Sequence, residues 1–90
     1  MDHIVNQPIV AVPGTEYPEH AHDVQEELEV FSGKLELNMV DAQTLILNPG
    51  DKVTIPAGRR HSARVLGESK LICLASFNLD VTTAKPAYAN

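Results

Sequence analysis

"GTEYPEHAHDVQEELEVFSG" (residues 14–33) places two histidines two positions apart, a glutamate four positions after the second histidine, and a glycine at the end of the stretch. No part of this stretch sustains the 3.6-residue apolar period of a long helix. In its second half Leu28 and Val30 alternate with glutamates, which is typical of a strand with one buried face. We therefore interpret the stretch as two strands joined by the polar segment 23–25.

The same alternation of apolar and polar residues recurs along the rest of the chain. Leu35, Leu37 and Met39 share one parity of residues 34–39, and polar residues take the other. We predict further strands at residues 9–12, 44–48 and 52–55, and two more, hinged at 67–69, within residues 61–79. Seven or eight short strands of this kind favour an all-β sandwich or barrel.

Length and composition indicate a single domain, which we assign to residues 1–90. The formal charge is −5, from seven Lys+Arg against twelve Asp+Glu, and this acidic balance speaks against nucleic-acid and membrane-surface partners. No apolar run approaches the ~20 residues needed to cross a bilayer. The single cysteine, Cys73, cannot form an internal disulfide, and the first ten residues lack the layout of a signal peptide. We expect a cytoplasmic protein.

The histidine pair and the glutamate fall on parities that predict inward-facing side chains. On a strand, residues i and i+2 share a face, so His20 and His22 can lie side by side. Glu26 shares its parity with the apolar residues 28 and 30. A buried carboxylate costs several kcal/mol unless it is paired or binds a metal. Two inward imidazoles nearby would therefore explain an inward glutamate.

His61 follows the same logic farther along the chain. It shares its parity with Ala63 and Val65, whereas the polar residues between them take the other face. Divalent Zn, Fe, Mn, Co, Ni and Cu accept imidazole and carboxylate ligands, and affinity alone does not choose among these ions. Each residue alone has a simpler interpretation, because inward histidines are commonly core residues and glutamates are commonly solvated. The candidate metal ligands are His20, His22, Glu26 and His61.

The spacing of these residues resembles that of the cupin superfamily. The first cupin motif, G-x5-H-x-H-x(3–4)-E-x6-G, is matched at every spacing within residues 14–33. The second, G-x5-P-x-G-x2-H-x3-N, is matched within residues 50–65, except that Val65 replaces the final asparagine. The matching residues are Gly14, His20, His22, Glu26, Gly33, Gly50, Pro56, Gly58 and His61.

This resemblance implies a small antiparallel jelly-roll β-barrel of the RmlC-like type. The sequence of residues 81–90 itself suggests a loosely docked tail. It also implies that the four candidate ligands bind one divalent metal ion inside the barrel, next to a small-molecule ligand. Val65 departs from the motif at a position that is not a ligand. The motif glycines and Pro56 are expected to shape turns.

The resemblance selects no single chemistry, because cupins share such a site across unrelated reactions. One hypothesis is a metal-dependent enzyme that acts on a small molecule as a dioxygenase, isomerase, decarboxylase or lyase, with its catalytic residues unknown. The alternative is a non-catalytic module that senses or stores a metal or a small ligand. A third possibility is a barrel that no longer binds metal, and the complete set of four ligands argues against it.

Five further side chains have two interpretations each. Tyr17 either donates a proton at the barrel mouth or packs there. Cys73 either lies beside the metal or is a small buried hydrophobe, which we favour. Arg59, Arg60 and Arg64 either attract an anionic ligand at the rim or are solvated or interface-facing.

The sequence of the N-terminal segment suggests that the protein forms an oligomer. An open edge of a jelly roll is prone to aggregate unless it is covered, and residues 4–12 ("IVNQPIVAV") can pair with a partner's sheet. We therefore expect a homodimer, with residues 81–90 as the alternative cover for the edge. His3 matches neither motif, and we expect it to be solvated.

Overall fold

A computed structural model describes residues 2–80, and within them the chain forms eight strands and no helix. The predicted all-β fold is therefore confirmed. These residues accordingly contain no helix long and apolar enough to cross a membrane. The strands are β1 (Asp2–Ala11), β2 (Glu16–His20), β3 (Gln25–Ser32), β4 (Lys34–Met39), β5 (Leu45–Leu47), β6 (Lys52–Ile55), β7 (His61–Leu66) and β8 (Leu71–Asp80).

The strands form two four-stranded antiparallel sheets. The first has the order β1-β8-β3-β6, and the second has the order β2-β7-β4-β5. Most strands that follow each other along the chain lie in different sheets, as in a jelly roll. The predicted jelly-roll barrel is therefore confirmed.

The core lies between the sheets and is built from alternate residues of each strand. In β3, Leu28 and Val30 are buried whereas Glu27 and Glu29 are half-exposed, as the alternation predicts. Burial of each leucine or valine side chain stabilises the fold by about 1.5–3 kcal/mol. Val65, which replaces the motif asparagine, belongs to this core. The largest fully buried side chains are Leu37, Ile55, Leu71, Val30 and Val65.

Gly33 is the residue at which the chain crosses from β3 to β4 and so from one sheet to the other. Its φ is 82°, in the region that favours glycine. A Cβ atom built there would lie 2.6 Å from the carbonyl oxygen of Lys70. A side chain at this position would displace the backbone, which explains the glycine that ends the first motif.

β1 is longer than the strand predicted at residues 9–12, and it pairs with β8 over all ten of its residues. The sequence conceals most of this strand because Gln7 interrupts the inward row of Val5, Ile9 and Ala11. β1 is the first strand of its sheet, so its other side is an edge. The predicted tail at 81–90 and the side chain of His3 lie outside the described residues.

Candidate metal centre

The four candidate ligands lie at one end of the barrel, where β2 ends and β3 and β7 begin. His20 is the last residue of β2, and it lies opposite His61, the first residue of β7. Glu26 is the second residue of β3, and His22 lies in the connection 21–24 between β2 and β3. The fold thus brings together side chains from both motifs.

The three imidazoles form a compact cluster. Ring centroids are 4.3 Å apart for His20 and His61, 4.8 Å for His20 and His22, and 5.5 Å for His22 and His61. One nitrogen from each ring lies within 4.8 Å of the others. Two nitrogens that are each about 2.1 Å from one ion are at most about 4.2 Å apart. Three nitrogens around one tetrahedral ion lie about 3.4 Å apart, so ring movements of about 1 Å would let all three rings bind the same ion.

Glu26 adds a carboxylate with an unsatisfied oxygen. Its Oε1 atom lies 3.4 Å from Nε2 of His22 and 3.5 Å from Nε2 of His61, beyond the upper limit of about 3.2 Å for a good N–H···O bond. This oxygen is buried and has no hydrogen-bond partner among residues 2–80. A buried oxygen in this state costs about 1–3 kcal/mol, and more when it is charged. A cation bound by the carboxylate and the rings would remove this cost, so the residues fit a metal ion.

Backbone carbonyl groups orient two of the rings. Nδ1 of His20 lies 2.7 Å from the carbonyl oxygen of Pro18, and Nδ1 of His61 lies 2.9 Å from that of Arg59. A carbonyl oxygen only accepts, so each Nδ1 donates its proton, and in the neutral ring Nε2 keeps a free lone pair. Metal-binding histidines are commonly held through their second nitrogen in this way. Both rings therefore adopt the tautomer that can bind an ion through Nε2.

A β-bulge in β2 explains why Tyr17 and His20 both face the interior. Tyr17 lies opposite Ala63 and His20 lies opposite His61, so three steps along β2 match two steps along β7. In a regular strand, residues three apart face opposite sides. The extra residue of the bulge returns His20 to the side of Tyr17, and the two residues between them are exposed.

His22 reaches the cluster by a different route from the predicted one. The sequence suggested that both histidines of the pair share a strand face, but β2 ends at His20. His22 lies in the following connection, where its carbonyl oxygen accepts a 2.8 Å hydrogen bond from the N–H of Gly58. Its ring packs edge-on against Phe77, which the sequence did not single out, with centroids 5.1 Å apart. The turn of the second motif thus holds a histidine of the first.

Burial and the Glu26 carboxylate shift the proton equilibria at the site. Burial lowers the pKa of His61, but Glu26 and the carbonyl group of Arg59 outweigh it, so this pKa lies above its usual 6.5. Burial raises the pKa of the Cys73 thiol to about 11, and the charge of Glu26 adds to the effect. Burial, with a further contribution from Cys73, also raises the pKa of Tyr17. Cys73 and Tyr17 therefore stay protonated at neutral pH.

A cavity of about 190 Å³ adjoins the cluster and extends between the sheets. Three of the candidate ligands line it together with Tyr17 and Cys73, and most of the remaining lining is aliphatic. Gln7 also lines the cavity, although it belongs to neither motif. Its signal would have been a polar residue on the inward parity of β1. No arginine or lysine within residues 2–80 belongs to the lining.

The three arginines lie elsewhere. Nε of Arg60 is 2.7 Å from Oε2 of Glu19, and Nη2 of Arg64 is 3.4 Å from Oε2 of Glu36. Arg59 lines a separate surface depression formed in part by the turn 56–60. The arrangement favours solvated or ion-paired arginines over arginines that attract a ligand to the cavity.

A comparison with protein families agrees with this geometry. The family described as "Cupin domain" matches residues 9–77, which contain all four candidate ligands and the whole of both motifs. A comparison with curated proteins finds no match.

Several solved structures share the fold. DMSP lyase DddQ from Ruegeria pomeroyi is 27% identical with a TM-score of 0.79, over 90% of this chain and 41% of that one. A conserved protein with a double-stranded β-helix domain from Klebsiella pneumoniae is 26% identical with a TM-score of 0.75, over 97% and 70% of the two chains. A cupin domain from Schizosaccharomyces pombe is 16% identical with a TM-score of 0.80, over 88% and 55%, a likeness that shows the fold alone. This chain thus spans less than half the length of the lyase. Because the family match extends over most of its length, the chain belongs to the cupin family.

Proposed function

We propose that the three imidazoles and the Glu26 carboxylate bind one divalent transition-metal ion, at which the protein binds or converts a small molecule. The observation that carries this proposal is the buried Oε1 atom of Glu26, unpartnered among residues 2–80 and close to two Nε2 atoms. The fixed tautomers of two rings support it as well. The proposed ligands are His20, His22, Glu26 and His61.

An ion held here would supply Lewis acidity, which polarises an oxygen group, lowers the pKa of bound water and orients reactants. The protein's own contribution is to hold the ligands and to exclude water with an aliphatic lining, which strengthens the electrostatic interactions inside. Tyr17 is protonated at neutral pH, so its hydroxyl can donate a hydrogen bond or a proton to a molecule in the cavity.

Metal-dependent turnover of a small molecule is the function that we place first. The 27% identity to a DMSP lyase supports lyase chemistry as one class, although this chain spans only 41% of that protein. Dioxygenase, isomerase and decarboxylase chemistry remain in the proposal because the fold does not choose among them. A non-catalytic sensor or storage module is the alternative, and the few acid–base groups in the cavity besides the ligands support it.

Metal content is the first test of this proposal. Purified wild-type protein, prepared without chelators and analysed by mass spectrometry of its metals, is expected to contain about one transition-metal ion per chain. His22→Ala should lose most of it, whereas His3→Ala, the same substitution outside both motifs, should retain it. Unchanged metal stoichiometry in His22→Ala would contradict the assignment.

Turnover separates the enzyme from the module. Protein stripped of metal and then reloaded is incubated with a panel of small organic acids, and substrate loss is measured by mass spectrometry. Loss that requires the metal supports an enzyme. Metal-stabilised folding without any turnover supports the sensor or storage module.

A homodimer and a cytoplasmic location stay among our proposals. The outer face of the first sheet exposes an apolar row in which Val10 lies opposite Ile72, with Phe31 on the next strand. A second copy would cover this row and the edge of β1 in a twofold contact. Sedimentation velocity tests the dimer: Ile72→Lys should give a monomer, and a wild-type monomer at 100 µM would contradict it. The single, buried Cys73 agrees with a reducing compartment.

A further inference from the structure

Gln7 places a polar side chain in an otherwise apolar inward row. Along β1, Val5, Ile9 and Ala11 pack into or against the core, and Gln7 has the same parity. It lies opposite the buried Ala75, yet it is exposed to solvent and also lines the cavity. The cavity therefore reaches the surface beside β1, and Gln7 lies at its mouth.

Tyr17 lines the same cavity from the other sheet. β1 and β2 are edge strands of the two sheets, so the two side chains approach the cavity from different sheet edges. Neither the side-chain amide of Gln7 nor the hydroxyl of Tyr17 forms a hydrogen bond with another residue between 2 and 80. Two polar groups without a hydrogen bond to neighbouring side chains thus line the cavity.

The charges around the cavity limit the kind of ligand. Among residues 2–80, Glu26 is the one carboxylate that lines it, and no arginine or lysine does. A divalent ion and this carboxylate together carry a charge of about +1, which one negative charge on a ligand would neutralise. A dianion would leave an uncompensated charge in a largely aliphatic cavity, which is costly.

The volume and the sheet register limit its size. A cavity of about 150 Å³ can hold benzene, so about 190 Å³ suits a molecule of roughly six to ten non-hydrogen atoms. Gln7 on β1, Ala75 on β8 and Leu28 on β3 lie side by side across the sheet. Glu26 is two residues from Leu28 along β3, so it lies two strands across and two residues along from Gln7. Strand spacing and rise place the Cα atoms of Gln7 and Glu26 about 12 Å apart. Their side chains cover part of this distance, and an extended molecule of that size spans the rest.

We propose that Gln7 and Tyr17 form a second recognition point, which makes the cavity selective for a small monoanion with a polar far end. The anionic oxygen group faces the metal centre, the hydrocarbon body crosses the aliphatic part, and a hydroxyl or similar group meets Gln7 and Tyr17. This inference rests on the proposed metal site and names the ligand class that the site takes.

Calorimetric titration of the metal-loaded protein with hexanoate, 6-hydroxyhexanoate and adipate tests the inference. These acids share a chain length and end in a methyl group, a hydroxyl group and a second carboxylate. The wild type should bind 6-hydroxyhexanoate about five- to tenfold more tightly than hexanoate, as expected for one net hydrogen bond. Adipate should bind most weakly of the three.

Substitutions assign the preference to the two residues. Gln7→Leu and Tyr17→Phe should each remove most of the preference for the hydroxyl group while leaving hexanoate affinity within about twofold. Val10→Thr, on the outward face of the same strand, should retain the preference. Gln7→Glu should favour 6-aminohexanoate by about tenfold over the wild type, because a carboxylate then meets the ammonium group. A purely structural role for Gln7 would not produce this change of ligand.

The metal content of each sample, measured in parallel, distinguishes the two possible failures. With full metal content, equal affinities for hexanoate and 6-hydroxyhexanoate would overturn the inference and leave the metal site intact. A preference that survives both Gln7→Leu and Tyr17→Phe would do the same, as would no binding of 6-hydroxyhexanoate at millimolar concentration. A protein that takes up no metal would overturn the inference together with the proposed function.

Discussion

Replacement of Glu26 by glutamine tests whether the site is stabilised by an ion. Oε1 of Glu26 is buried without a hydrogen-bond partner among residues 2–80. Glutamine has the same shape without the charge, and its amide can donate to Nε2 of His22 or His61, which lie 3.4 Å and 3.5 Å from that oxygen. We expect Glu26→Gln to raise the free energy of unfolding of the metal-free protein by about 1–3 kcal/mol at pH 8. For a domain of this size, each 1 kcal/mol raises the Tm by about 4–8 °C.

This gain should depend on pH through His61. Burial lowers the pKa of His61, but Glu26 and the Arg59 carbonyl group leave it above 6.5. The protonated ring therefore stabilises the native wild type fully below pH 6.5, and this contribution is lost as the pH rises through the raised pKa. Glu26→Gln lacks the contribution of the carboxylate. Its advantage in Tm should be largest near pH 8 and should shrink or reverse near pH 5.5.

Added metal should reverse the order of stability, so that the wild type becomes more stable than Glu26→Gln. An ion that binds only the native state adds about 2.7 kcal/mol of stability at a free concentration 100 times its Kd. The wild type should gain this amount, whereas Glu26→Gln, which lacks the anionic ligand, should gain much less. Thermal unfolding followed by circular dichroism, with EDTA and with a series of divalent ions, measures both effects.

Glu27→Gln is the matched control, because Glu27 is the next residue and faces outward. Its side chain is 43% exposed, and its Oε1 atom lies 3.8 Å from Nζ of Lys52. Loss of such a surface pair should change the free energy of unfolding by no more than about 0.5 kcal/mol. A lower Tm of metal-free Glu26→Gln than of the metal-free wild type at pH 8 would contradict a site stabilised by an ion. An equal rise in Tm with metal for the wild type and Glu26→Gln would do the same.

Three further predictions concern the ligands, the thiol and the sheet crossing. Dialysis at about pH 5 should release the metal because bound imidazoles must be neutral, and full retention about one pH unit lower would contradict a histidine-rich site. With its pKa near 11, the native Cys73 should react with iodoacetamide at pH 8 about 100-fold more slowly than in urea. The buried thiol's contribution to stability is complete below about pH 8.5 and should be lost as the pH rises towards 11. Equal alkylation rates of the native and the urea-unfolded protein would count against a buried thiol. Gly33→Ala should lower the free energy of unfolding by more than about 1 kcal/mol in urea titrations, because the φ of Gly33 is positive and the Lys70 carbonyl oxygen is close. An unchanged urea midpoint would contradict the described crossing between the sheets.

The alternation of apolar and polar residues was sufficient to predict a strand and its bounds where the two faces of the strand differ in chemistry. The observed bounds of β4 and β6 equal those predicted, because their inward residues are apolar and most of their outward residues are polar. In β1 this contrast is lost, since Gln7 faces inward while Val10 is 67% exposed on the outer face. Pairing with β8, which is distant in sequence, is what makes these residues a strand.

The spacing of the motifs predicted four candidate ligands, and the structure clusters the three imidazoles with the Glu26 carboxylate close to two of them. The parity of Glu26 and His61 in their strands follows from their apolar neighbours, and both are buried as expected. The position of His22 depends on where β2 ends, and the inward face of Tyr17 depends on a bulge that has no local signal in the sequence. Gln7 and Phe77 join the site through contacts between strands far apart in the chain, which no local pattern records.

The bulge in β2 fixes the number of residues between Tyr17 and His20, which both line the cavity. Removal of one residue between Tyr17 and His20 would align β2 evenly with β7, and one of the two side chains would then turn towards solvent. A substitution at position 17 therefore changes the lining of the cavity alone, whereas a change of length there turns either Tyr17 or His20 away from it.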